Sequence, residues 1–141
     1  MRALRLLALA CGLALVLPVA GPAPASAGLP PLSENDHINS RLLAASIGDR
    51  IRRRCPDISE RRWFVRSEAL KLYNHALGLG YSRATIEAYL RDPEARARME
   101  ADRDAWLAAN GAVDGDADSY CRIGLSEIRA GTYIGSLLRA D

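Results

Sequence analysis

The chain has 141 residues, 19 of them basic and 17 acidic, a length that suits one domain with a single core, and no second domain is expected. Two of the basic residues, Arg2 and Arg5, precede an apolar run. Without them 17 basic residues face 17 acidic ones, so the formal charge of +2 belongs to the N-terminus and the rest of the chain is near neutral.

Arg2 and Arg5, the apolar stretch Leu6 to Ala20, then Gly21-Pro22-Ala23-Pro24 and Ala25-Ser26-Ala27 follow the order of a secretory signal peptide. An apolar stretch of about 15 residues, interrupted by Pro18, falls short of the roughly 20 that span a bilayer. Cleavage after Ala27 is therefore expected, with a periplasmic or secreted location and no transmembrane segment in the mature chain. Cys11 follows Ala8-Leu9-Ala10, but the apolar residues before it are too few for a lipidated export signal. No paired arginines precede the run, which favours the general export route over the twin-arginine one. Export disfavours nucleic acid as a partner.

Cys55 and Cys121 remain after the leader, an even number that reads as a disulfide in an oxidising compartment. The enclosed loop of about 67 residues is worth roughly 4 kcal/mol on the chain-entropy model. A redox-active pair needs close spacing, as in C-x-x-C, and these two cysteines lack it.

Along the mature chain, residues 28–33 form an extended leader with Pro30-Pro31, and 34–141 form the helical domain. Ser33 is the expected N-cap of a first helix over Glu34 to Arg54, with Ile38, Leu42, Ile47 and Ile51 at helical spacing and Gly48 as a kink. Cys55-Pro56 closes it. Ser59 is the expected cap of a second helix, whose stripe of Trp63, Leu70, Tyr73 and Leu77 marks it as the central helix of the core. Gly78-Leu79-Gly80 stops that helix, and Ser82 starts a third through Ile86, Tyr89 and Leu90. Asp92-Pro93 is a specific start for a fourth, carrying Met99, Trp106 and Leu107 and ending at Asn110-Gly111. After a polar loop over 111–119 the chain turns helical again through Cys121, Leu125 and Ile128, with Gly131 and Gly135 interrupting the final segment from Thr132 to Arg139. No strand pattern is visible. The expected fold is all-α, a compact bundle of five or six short helices after the signal peptide, with one disulfide tying the end of the first helix to the start of the fifth.

Three groups of residues bear on chemistry. Asp114, Asp116 and Asp118 alternate as calcium ligands do, but Ser119 stands where a calcium loop needs glycine and Leu125 where it needs glutamate. A solvated loop ending in a helix cap explains them. Glu68, Lys71 and His75 share a helical face and offer an acid, a base and an imidazole, with no serine or cysteine nucleophile marked by a motif. His37 and His75 are the only histidines, and no zinc pattern contains them. No metal or cofactor is expected.

Arg50, Arg52, Arg53, Arg54, Arg61 and Arg62, with Arg41 and Arg66, give about +5 between positions 41 and 66, while residues 87–118 carry about −5. Arginine forks bind phosphate and carboxylate bidentately, so the basic block is a candidate surface for an anionic partner: a lipid headgroup, a cell-wall polymer or an acidic protein. The plainer expectation is that the two blocks pair with each other or lie in water. Trp63 and Phe64 are adjacent and must point to different sides of their helix, which leaves one of them exposed beside Arg61 and Arg62.

Ile47-Gly48-Asp49-Arg50-Ile51-Arg52 with Cys55-Pro56, Leu77-Gly78-Leu79-Gly80-Tyr81, and Ser119-Tyr120-Cys121 through Gly135-Ser136-Leu137-Leu138 resemble an uncharacterised family of small exported alphaproteobacterial proteins, a domain of unknown function. That resemblance spans nearly the whole mature chain and implies localisation and size but no activity. The residues themselves favour a non-enzymatic, periplasmic interaction or accessory module that meets an anionic partner through its arginines. The alternatives are a small periplasmic hydrolase using Glu68 and His75, and a stress-related chaperone that exposes apolar surface when acid weakens its charge asymmetry.

Overall fold

Asn35 starts the first helix. The structure, a computed structural model, describes residues 28–141, and the expected signal peptide with Cys11 lies outside them. Leu32–Glu34 form a 3-10 turn that takes Ser33 into its interior, and Asn35 Oδ1 then accepts from the Ile38 N–H at 3.0 Å. Asn39 Nδ2 donates to the carbonyls of Leu32 and Asn35, satisfying the turn from the helix side.

Helix α1 (Asp36–Arg54) runs unbroken through Gly48, contrary to the expected kink. Gly48 is buried, and a methyl group there would meet Leu137 and Leu138 at ordinary contact distance, so the helix continues under the C-terminal segment. Cys55 closes α1, donating its N–H to Ile51 O.

Strand β1 (Ile58–Glu60) pairs antiparallel with β2 (Leu138–Ala140), Ser59 opposite Arg139. Neither strand was expected, because three residues are too few to show a period of two. Ser59 is thereby held in the ladder and does not cap α2 (Arg62–Gly78), which starts without a side-chain cap while the Arg61 N–H donates to Leu137 O.

Helix α2 is not the centre of the core. Ala76 is its only buried residue, Leu72, Tyr73 and Leu77 are half-buried, and Trp63 and Leu70 are 82% and 60% exposed. The stripe read from the sequence covers more of the helix than its neighbours can bury. The central element is α1, which packs on α4, α5, α6 and β1 and touches α2 as well.

Helix α3 (Arg83–Arg91) is capped by Ser82 and α4 (Pro93–Ala109) by Asp92, each side chain accepting from the N–H three residues on, as their sequence signals indicate. Helix α5 (Ala117–Ala130) takes Asp116 as its cap and ends at Gly131 in the left-handed conformation. The last helix, α6 (Tyr133–Ser136), is a single turn. Among the described residues the fold is all-α in its layers, six helices with one disulfide, Cys55–Cys121, joining the end of α1 to α5 across a Cα separation of 5.0 Å.

Apolar burial falls into two clusters threaded by α1. One gathers Ile47, Ile51, Cys55, Ile58, Leu107, Tyr120, Ile123, Ile134 and Leu138; the other gathers Leu32, Ile38, Ala76, Tyr81 and Ile86. In the first, glycines permit close approach: a methyl group on Gly124 would lie 2.5 Å from Ile58 Cδ1 and 2.7 Å from Ile51 Cγ2, and one on Gly135 would lie 2.1 Å from the Glu127 carbonyl oxygen.

Candidate anion-binding groove

Successive residues on a helix point about 100° apart, so a run of arginines cannot form one surface. On α1, Arg50 and Arg54 turn toward the acidic block and reach Asp104 at 3.8 Å and Asp114 at 3.4 Å. The two charge blocks therefore meet within one molecule. Arg53 pairs with Asp49 at 2.8 Å on the exposed side. Arg61 donates to Ser136 O at 3.1 Å and lies over the Phe64 ring, 4.9 Å from its centroid.

Arg52 and Arg62 go elsewhere and share Glu60: Arg52 Nε lies 3.4 Å and Arg62 Nε 3.9 Å from its carboxylate. Antiparallel pairing of β1 with β2 brings a third arginine, Arg139, to the same place. Together with Ser59, Glu60, Trp63 and Asp141, and over Cys55, Pro56 and Ile58, the three arginines line a groove of about 620 Å³. Arg139 Nε donates to Ser59 Oγ at 2.8 Å, and Ser59 Oγ donates to Asp141 Oδ1 at 2.6 Å. Arg52 is anchored to Asp49 at 2.6 Å, and its Nε is buried against the Glu60 carboxylate. Arg139 and Asp141 were not legible as site residues, since only the short ladder carries them there. Trp63 is the exposed member of the Trp63-Phe64 pair, as their adjacency requires, and Phe64 is half-buried.

The remaining constellations resolve into pairings. Glu68 accepts from Lys71 Nζ at 2.8 Å, and that bond, aided by the charges of Lys71 and Arg41, holds its carboxyl below the usual carboxylate range. A general acid needs the opposite shift. His75 meets His37 edge to face, 4.8 Å between ring centroids. Both line a shallow depression with Arg41, Glu68, Lys71, Leu72 and Tyr133, where no serine, threonine or cysteine stands. The Tyr133 hydroxyl is pushed up by burial and by the Glu68 charge, and Arg41 lies 3.8 Å over its ring.

In the acidic loop, Asp116 caps α5, Asp114 pairs with Arg54, and Asp118 lies in the first turn of α5. The described residues hold one tight grouping of metal-type ligand atoms, Cys55, Asp57 and Cys121, and its two sulfurs are consumed by the disulfide. Asp104 is held below the usual range first by its hydrogen bond to Arg103 and then by the charges of Arg103, Arg50 and Arg54. No described helix is long and apolar enough to cross a membrane.

No curated protein and no solved structure matches the chain. Residues 30–139 match the model of a family of unknown function, DUF5333, and the chain belongs to that family.

Proposed function

We propose that the protein is an exported, non-enzymatic binding module, periplasmic or secreted, whose groove at the end of α1 holds an anionic partner. The observation that carries this reading is the convergence of Arg52, Arg62 and Arg139 on one concavity, with the Arg62 and Arg139 side chains largely exposed. Planar guanidinium groups favour carboxylate and phosphate, and a concave surface concentrates their field. The disulfide at the groove's floor supports the location, because such bonds form and persist in oxidising compartments. The pairing of Glu68 with Lys71 favours a structural role for that face over hydrolysis.

The test is an NMR titration with four probes: polyphosphate, polyglutamate, an oligogalacturonate and phosphatidylglycerol vesicles. At least one probe is expected to shift the amides of Ser59, Glu60 and Arg139 first. The double variant Arg62→Gln/Arg139→Gln should weaken that probe at least ten-fold, a loss of about 1.4 kcal/mol or more. Arg53→Gln/Arg54→Gln, outside the groove, should leave it within two-fold. No binding by any probe, or shifts centred on Asp104 and Asp114, would overturn the proposal.

A further inference from the structure

We infer that the groove takes an anionic saccharide, a chain of sugar rings with sparse carboxylates, one ring resting on Trp63 while a carboxylate accepts from the exposed guanidinium of Arg62. This deepens the anion-binding reading and rests on it. Charge density is the first argument. The three arginines share the groove with the carboxylates of Glu60 and Asp141, leaving a net +1 among its lining side chains. Polyphosphate or polyglutamate, with a charge on every unit, meets both carboxylates and is repelled by them. A saccharide offers hydroxyls that donate to Glu60 and Asp141 and accept from the arginines, and it needs only an occasional carboxylate for Arg62.

The second argument is Trp63. At 82% exposure it is the most exposed large apolar side chain among the described residues, and it stands in the wall of a groove with Cys55, Pro56 and Ile58 at its floor and charged side chains around it. An indole that open gains by covering its face with a flat, weakly polar surface, which the C–H face of a sugar ring supplies. Arg66 lies 5.7 Å from the ring centroid, and most of the ring remains open.

The third argument is shape. A bilayer is reached by a contiguous apolar helix face. On α2 the next exposed large apolar residue, Leu70, lies two turns beyond Trp63 and outside the groove, with Arg66 and Ser67 between them. Concavity and the pre-bonded Ser59, Arg139 and Asp141 side chains suit a polymer strand lying along the groove rather than a plane.

The experiment compares, by calorimetry and tryptophan emission, an oligogalacturonate with its methyl ester, polyphosphate, polyglutamate and phosphatidylglycerol vesicles. The variants are Trp63→Ala and Arg62→Gln, both at exposed side chains, with thermal melts as the folding control. The oligogalacturonate should bind and change the emission, and its methyl ester should bind at least ten-fold more weakly. Trp63→Ala should abolish the emission change and weaken the oligogalacturonate at least ten-fold, while any polyphosphate binding changes less than two-fold. Binding of polyphosphate, polyglutamate or vesicles in the groove without the oligogalacturonate would overturn the saccharide and leave the anion site standing. Equal binding of acid and ester would overturn the role given to Arg62. Failure of every probe would remove both readings.

Discussion

The two cores that α1 joins are assembled by different means. Around its C-terminal half, α5 lies against Ile51 and Ile58 with only hydrogen at Gly124, α6 lies against the α5 backbone with only hydrogen at Gly135, and the disulfide adds a covalent tie. Around its N-terminal half, Leu32, Ile38, Ala76, Tyr81 and Ile86 are buried, but Leu42, Leu72, Tyr73 and Leu77 only partly. An apolar cleft of about 280 Å³ remains there between α1, α2 and α3. Tyrosine hydroxyls hold that end, Tyr81 to Pro30 O at 2.7 Å and Tyr89 to Asn39 Oδ1. Backbone-level approach leaves no room to relax, whereas half-buried side chains can repack. The groove is floored by Cys55 and Ile58, members of the tighter core, and a binding site gains most from a support that does not have to be ordered on binding.

The largest expected effect tests the covalent tie. Replacing both cysteines, Cys55→Ser with Cys121→Ser, should lower stability by about 4 kcal/mol in urea unfolding, and it should loosen amide protection around the groove before that around Tyr81 and Ile86. An unchanged midpoint would mean that the glycine-mediated packing alone holds the first core.

A smaller effect separates the cores by steric room. Gly124→Ala places a methyl group against Ile51 and Ile58 and should cost about 1–3 kcal/mol. Gly78→Ala, at the end of α2 with open space around it, should be neutral to slightly stabilising. Equal losses at the two positions would erase the distinction drawn between the cores.

The smallest effect concerns the stripe on α2. Leu70→Gln should change stability by no more than about 0.5 kcal/mol, because the side chain is already 60% exposed. A loss of about 2 kcal/mol would restore α2 to the central place its apolar spacing suggests.

Helix boundaries were readable where the signal lies within one turn. Ser82, Asp92-Pro93, Asn110-Gly111 and the Asp116 loop all act as their chemistry indicates, and so do the paired cysteines. Readings that depended on other elements went differently. Ser33 loses its cap role to Asn35 because a 3-10 turn precedes it, Gly48 does not break α1, and Ser59 joins a strand. For the candidate site, Arg52 and Arg62 were visible in the chain; the exposure of Trp63, read first as part of a buried stripe, and the places of Arg139 and Asp141 were not.

Capping groups, cysteine count and helical spacing are properties of neighbouring residues or of the chain as a whole. For that reason the sequence by itself determined an all-α chain with its helix starts, its stops and one disulfide. Which face of α2 is buried, which arginines meet carboxylates and which line the groove depend on what α1, α5 and the β1–β2 ladder bring alongside. Only the tertiary structure decided those, since burial and charge pairing are set by partners dozens of residues away.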